Sequence, residues 1–83
     1  MVVRGRVQGV GFRMFVASRA QARGVAGWAR NRSDGALEAA LEGRREAVEA
    51  VVAACESGPR GANVSSVDVS TGEPEGLRGF EIR

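Results

Sequence analysis

The fold is decided near the start of the chain, by the stretch Val2-Val3-Arg4-Gly5-Arg6-Val7-Gln8-Gly9-Val10-Gly11-Phe12-Arg13. Residues 2–7 are rich in valine and end at a glycine-punctuated segment, a pattern that predicts a β-strand running into a loop. From residue 12 to residue 23 apolar side chains recur at helical spacing, and Gly24 stands where a left-handed C-terminal cap is expected. The chain therefore opens as strand, glycine-containing loop and helix.

The middle of the chain predicts a β-hairpin. Residues 25–31 and 35–42 flank the segment Asn31-Arg32-Ser33-Asp34-Gly35, whose pair Asp34-Gly35 is a strong turn signal. In the second strand, apolar and acidic side chains alternate, with one face formed by Leu37, Ala39 and Leu41 and the other by Glu38, Ala40 and Glu42. A period of two residues indicates a sheet that helices cover mainly on one side.

A second helix and two further strands complete the chain. Residues 44–56 place five side chains on one helical face, namely Ala47, Val48, Val51, Val52 and Cys55, and the sequence Ser57-Gly58-Pro59 ends that helix. Strands are predicted over residues 64–69, where Val67 and Val69 face together, and over residues 79–83. The order βαββαβ predicts a ferredoxin-like α+β fold: an antiparallel sheet of four to five strands with two helices on one face, and residues 1–83 in a single domain.

The composition argues against several functional classes. All twelve basic residues are arginine, ten residues are acidic and the formal net charge is +2, unlike the dense basic stripe of a nucleic-acid binder. With no histidine and one cysteine, Cys55, which we expect to be buried, the chain offers no recognisable zinc site or Cys-His catalytic set. No apolar run is long enough to span a membrane and no secretory signal is recognised, so we expect a cytoplasmic protein without a membrane partner.

The loop that follows the first strand is the candidate functional site. At the junction of a strand and a helix, unpaired backbone N–H groups and the positive end of the helix dipole attract an anion. Gly9 and Gly11 allow successive amides to point inward, and Arg13, in the first helical turn, can grip two phosphate oxygens with its planar fork. On spacing alone, a simple tight turn with a solvated Arg13 explains the pattern equally well.

Two segments together resemble a known family. The segment Gly5-Arg6-Val7-Gln8-Gly9-Val10-Gly11-Phe12-Arg13 resembles the N-terminal signature of the acylphosphatases, and Gly27-Trp28-Ala29-Arg30-Asn31-Arg32-Ser33-Asp34-Gly35 resembles their second signature. The likeness extends to the ending Gly79-Phe80-Glu81-Ile82-Arg83. Two positions depart from the pattern: Arg4, where members often have histidine, and Arg32, where an apolar residue is common.

The resemblance implies an enzyme that needs no metal or cofactor and hydrolyses the carboxyl–phosphate bond of a small-molecule acyl phosphate. It implies that Arg13 binds the phosphoryl group together with the loop formed by Gln8, Gly9, Val10, Gly11 and Phe12, and that Asn31 positions the attacking water. On local sequence alone Asn31 is more simply a turn residue before Asp34-Gly35. We expect a monomer, and the sequence leaves acetyl, carbamoyl and glyceroyl phosphates equally possible as substrates.

Three other functions fit the same topology. RNA-recognition domains stack bases on aromatic residues of their central strands, but residues 2–7 and 35–42 contain none. An acylphosphatase-like domain can also serve a larger carbamoyl-transfer protein, as in hydrogenase maturation factors. A regulatory domain could keep the phosphate loop and lack turnover, because fold does not guarantee function.

Overall fold

The strands and helices follow the order predicted from the sequence. The structure, a computed structural model, describes residues 1–83. Its elements are β1 (Val2–Arg6), α1 (Phe12–Ala22), β2 (Ala26–Asn31), β3 (Leu37–Glu42), α2 (Arg45–Ser57), β4 (Asn63–Asp68) and β5 (Phe80–Ile82). The predicted boundaries agree to within two residues. Helix α1 ends as predicted, with Gly24 in a left-handed conformation (φ 69°) and the Val25 N–H bonded to the Ala20 carbonyl at 2.8 Å.

The five strands form one sheet in the order β4-β1-β3-β2-β5. The prediction of antiparallel pairing is confirmed where β1 meets β3, β1 meets β4 and β2 meets β3. It is wrong for β5, which runs parallel to β2 and places Gly27 opposite Phe80. The reason is topological. β1 and β2 are both antiparallel to β3, so they run in the same direction, and β4, which is antiparallel to β1, runs opposite to both. A chain that reverses once after β4 therefore arrives parallel to β2.

Both helices contribute to one core on one face of the sheet. The buried cluster joins side chains of β1, β2, β3, α1 and α2 with those of adjoining residues, namely Val3, Val7, Phe12, Val16, Ala20, Val25, Ala29, Leu37, Ala39, Val51 and Cys55. The alternation in β3 is confirmed at Leu37 and Ala39, which are buried on either side of a partly buried Glu38, whereas Leu41 is only partly buried against the same core. Burial of Cys55 is also confirmed, and desolvation raises the pKa of its thiol to about 11.

The end of β4 differs from the sequence prediction. The pattern predicts that Val69 shares a strand face with Val67, but β4 ends at Asp68 and Val69 is 55% exposed. The partner strand explains the difference, because β1 begins at Val2, which pairs with Asp68.

Neither helix combines the length and apolarity that crossing a membrane requires.

A substitution at Gly27 tests the close approach of β2 and β3. A Cβ atom on Gly27 would lie 1.8 Å from the carbonyl oxygen of Ala40, so Gly27→Ala must push the two strands apart. We expect a loss of about 2 kcal/mol or more in the free energy of unfolding, measured by urea denaturation. Gly72→Ala is the matched control, because a Cβ atom on Gly72 would have no atom within 4 Å. Equal stability of the two variants would contradict the close packing.

Candidate active site

The glycine loop, residues 8–13, follows β1 and includes the first two residues of α1. Gly9 and Gly11 have left-handed backbones, with φ of 74° and 76°, which suit glycine because it has no Cβ. Gly11 is the N-cap of α1, no side chain caps the helix, and its first turn has no acidic residue. The positive end of the helix dipole is therefore not compensated by a negative side chain, and Arg13 adds a further positive charge.

The backbone N–H groups of this region have no protein partners. None of the N–H groups of residues 8–14 donates a hydrogen bond to a protein acceptor, and the series resumes with the Phe15 N–H, 3.0 Å from the Gly11 carbonyl. Consecutive free N–H groups at a helix N-terminus form an anion-binding surface. The region is therefore chemically suited to an oxygen-rich anion.

A cavity of about 300 Å³ brings the predicted catalytic residues together. It is lined by Val7, Gly9, Gly11, Phe12, Arg13, Met14, Asn31 and Ile82. Arg13 and Asn31 are its only residues with polar side chains, and the lining contains no carboxylate, imidazole or thiol. Gln8 and Val10, which the resemblance also places in the phosphate site, do not line this cavity.

The Arg13 side chain is held by a residue that sequence reasoning missed. Its Nη1 atom donates to the main-chain oxygen of Arg83 at 3.0 Å. Arg83 is placed by the sheet, because its own N–H donates to the Ala29 carbonyl at 2.8 Å. A guanidinium has five N–H donors, so most of them stay available to a ligand. The contact joins residues 70 positions apart, and because its acceptor is a backbone atom, no side-chain motif signals it.

Comparison with known proteins gives the family. A sequence profile of the acylphosphatase family matches residues 1–82. The chain belongs to the acylphosphatase family. It is 52% identical over 81 residues to an acylphosphatase from Trichormus variabilis, a match that spans 98% of this chain and 80% of the relative.

Solved structures of the acylphosphatase family confirm the ferredoxin-like α+β fold. The crystal structure of acylphosphatase from Bacillus subtilis matches with a TM-score of 0.95 at 41% identity, covering 99% of this chain and 92% of that chain. Full-length HypF in its phosphate- and nucleotide-bound form matches with a TM-score of 0.89 at 30% identity, covering 99% of this chain and 11% of that chain. The same fold therefore also occurs as a small part of a longer chain.

Gln8 fastens the glycine loop of this acylphosphatase-family protein to the β2–β3 turn. Its Nε2 atom donates to the carbonyls of Arg32, at 2.7 Å, and of Ala36, at 3.2 Å. Arg32 directly follows Asn31, so the contact links the loop of free N–H groups to the segment that presents Asn31. The Gln8 side-chain amide is thus hydrogen-bonded to the turn, and the group of Gln8 that is free to bind an anion is its backbone N–H.

The two departures from the family pattern meet at one carboxylate. Arg32 contacts Asp34 at 2.8 Å and Arg4 contacts the same oxygen of Asp34 at 3.6 Å. The backbone N–H of Ala36 also donates to Asp34, at 3.1 Å. That hydrogen bond first, and then the charges of Arg32 and Arg4, hold the pKa of Asp34 below its ordinary value. Arg32 is therefore paired within the turn that follows Asn31.

The Gln8 hydrogen bonds are tested by Gln8→Met, which keeps the length of the side chain and removes both donors. We expect the free energy of unfolding to fall by about 1 kcal/mol, since two backbone carbonyls lose a partner. Gln21→Met is the control, because Gln21 is also exposed and its side chain makes no hydrogen bond. If both variants unfold at the same urea concentration, Gln8 does not fasten the turn.

The Asp34 cluster predicts a pH-dependent contribution to stability. Because the pKa of Asp34 is lowered in the folded state, its stabilisation is present above the ordinary value of 3.8 and is lost as the pH falls through the folded pKa. Asp34→Asn should therefore be less stable than the parent protein at pH 7, and the difference should shrink in acid. Urea titrations at several pH values measure it, with Asp68→Asn as the control. A difference that is constant with pH would contradict the ion cluster.

Proposed function

We propose that this protein hydrolyses the carboxyl–phosphate bond of acyl phosphates, giving a carboxylate and inorganic phosphate. In this proposal Arg13 and the N–H groups of the glycine loop bind the phosphoryl group, and Asn31 orients the attacking water. The observation that supports it most strongly is the run of unpartnered N–H groups beside a cavity that contains both Arg13 and Asn31. All of these groups belong to one chain, which is compatible with residues 1–83 acting as one catalytic domain.

Phosphate binding requires donors that are fixed before the substrate arrives. The loop N–H groups are held by the backbone of Gly9 and Gly11, and Arg13 is held by the main-chain oxygen of Arg83. Phosphoryl transfer through a loose transition state places charge on the equatorial oxygens, and preorganised N–H donors stabilise that charge. Arg13 adds a permanent positive charge and a geometry that can bind two oxygens at once.

Asn31 is suited to positioning water and not to removing its proton. It is the last residue of β2, and it lines the same cavity as Arg13. Its side-chain carbonyl can accept a hydrogen bond from water, which fixes the direction of attack, but an amide is not a base near neutral pH. Correct placement alone contributes substantially to a displacement at phosphorus.

The chemistry needs neither a general acid nor an enzyme base. The bond between phosphorus and the bridging oxygen breaks, and the electron pair leaves on a carboxylate whose conjugate acid has a pKa of about 4. The water oxygen bonds to phosphorus, and a phosphate oxygen of the substrate takes the water proton. The absence of carboxylate, imidazole and thiol groups from the cavity lining supports this route. A pH–rate and solvent-isotope study that revealed an essential enzyme base would refute it.

Benzoyl phosphate hydrolysis by chelator-treated protein tests the division of roles. Arg13→Ala is expected to lose phosphate binding and to reduce kcat/KM by on the order of 10³-fold, because the charge on the phosphoryl oxygens is no longer neutralised. Asn31→Ala is expected to keep phosphate affinity, measured by calorimetry, and to lower kcat by on the order of 10²-fold.

Two matched variants serve as controls for these substitutions. Arg60→Ala and Asn63→Ala remove the same side chains at exposed positions outside the cavity, and full activity is expected of both. An Asn31→Ala variant with normal turnover would contradict the water-positioning role. Phosphate binding without turnover in the unsubstituted protein would instead support a phosphate-binding module.

A further inference from the structure

Apolar side chains are exposed at the rim of the candidate site. The exposed large hydrophobic residues of the chain are Met14 (64% exposed), Val69 (55%) and Ile82 (41%). Met14 and Ile82 both line the cavity that contains Arg13 and Asn31, whereas Val69 does not. Single exposed apolar residues are ordinary, but two that meet at one functional cavity form a local apolar surface.

The two residues are chain neighbours of the pair formed by Arg13 and Arg83. Met14 directly follows Arg13 in α1, and Ile82 directly precedes Arg83, whose main-chain oxygen accepts the Arg13 hydrogen bond. A molecule whose phosphate is bound to Arg13 therefore has apolar side chains within the same cavity for the remainder of its structure.

The rest of the lining offers little for a polar acyl group. Val7 and Phe12 are apolar and buried, and Gly9 and Gly11 have no side chains. The only two polar side chains, Arg13 and Asn31, are already assigned to the phosphoryl group and the water. A charged or strongly polar acyl group would find no further polar side chain to pair with here, whereas an apolar group would cover exposed apolar surface of Met14 and Ile82. The cavity volume of about 300 Å³ is at the small end for ligand sites, which suits a compact acyl group.

We propose that Met14 and Ile82 form the acyl-binding surface of this site, and that its substrates are acyl phosphates with a small, uncharged, apolar acyl group. This inference rests on the proposed function. Methionine is flexible and polarisable and makes favourable contacts with aromatic rings, so aromatic as well as aliphatic acyl groups fit the surface. Among the substrates left open by the sequence, glyceroyl phosphates and carbamoyl phosphate are disfavoured relative to acyl phosphates with a hydrocarbon chain or ring.

Binding of non-hydrolysable phosphonates tests the acyl surface independently of turnover. Calorimetry would compare benzoylphosphonate, acetylphosphonate and inorganic phosphate on the unsubstituted protein, Met14→Gln and Ile82→Thr. Each phosphonate affinity is divided by the affinity of the same variant for inorganic phosphate, so that any general disturbance of the glycine loop cancels. Val69→Thr is the control, since it makes a similar exposed hydrophobic residue polar outside the cavity.

We expect the unsubstituted protein to prefer benzoylphosphonate over acetylphosphonate. Met14→Gln and Ile82→Thr should each reduce this preference by about fourfold to fifteenfold, the factor associated with burial of one or two methylene groups. Val69→Thr should leave it unchanged. A preference that survives in both site variants, or that is absent from the unsubstituted protein, would overturn the acyl-binding surface.

Turnover of benzoyl phosphate, measured on the same proteins, separates this inference from the proposed function. Absence of hydrolysis by the unsubstituted protein, together with a benzoyl preference that Met14→Gln and Ile82→Thr reduce, would refute the proposed catalysis and retain the acyl surface. Hydrolysis by the unsubstituted protein, together with a benzoyl preference that neither Met14→Gln nor Ile82→Thr reduces, would support the proposed catalysis and refute the acyl-binding surface.

Discussion

Burial of Phe12 is the interaction on which the position of the site depends. Phe12 is the first residue of α1, it is 2% exposed, and its ring meets that of Phe15 edge-on at 5.7 Å. The ring also lies over Gly58 at the end of α2, so close that a Cβ there would approach it to 2.8 Å. The hydrophobic core thus fixes the residue between Gly11 and Arg13. The positions of the helix start, of the free N–H groups and of the Arg13 guanidinium therefore depend on the burial of Phe12.

The features that suit the start of α1 to anion binding also make the helix less stable. An acidic side chain near a helix N-terminus typically stabilises the helix by about 0.3–1 kcal/mol, yet α1 follows a glycine N-cap without a side-chain cap and has Arg13 in its first turn. The free N–H groups and the arginine attract an anion, and their hydrogen bonds are satisfied when one binds. A bound phosphate would therefore act as the missing cap, so that the ligand completes the local structure of the helix.

Local sequence pattern accounts for much of the fold. The left-handed Gly24, the alternation of Leu37 and Ala39, and the burial of Cys55 follow from periodicity and backbone chemistry, and all three are confirmed. The predicted antiparallel direction is wrong for β5, because strand direction at a sheet edge depends on the path of the whole chain. The predicted strand position of Val69 is wrong because strand length depends on the partner strand, which periodicity does not reveal.

The same distinction applies to the candidate site. Arg13 and Asn31 belong to recognisable segments, and the structure places both in one cavity. The contacts that Gln8 and Arg13 make are not predictable from the sequence, because their acceptors are main-chain oxygens of Arg32, Ala36 and Arg83. Such contacts depend on three-dimensional proximity and have no signature in side-chain identity. The apolar lining of the cavity is likewise not predictable from the sequence, because Ile82 lies far from the glycine loop along the chain. The contact between Arg13 and Arg83 also bears on folding, because it joins positions 70 residues apart, and contacts of long sequence separation form slowly while loop-closure entropy is overcome. Since Arg83 directly follows β5, the observed position of the Arg13 guanidinium depends on the pairing of this edge strand with β2, and the last strand of the chain thereby acts on a side chain of the first helix.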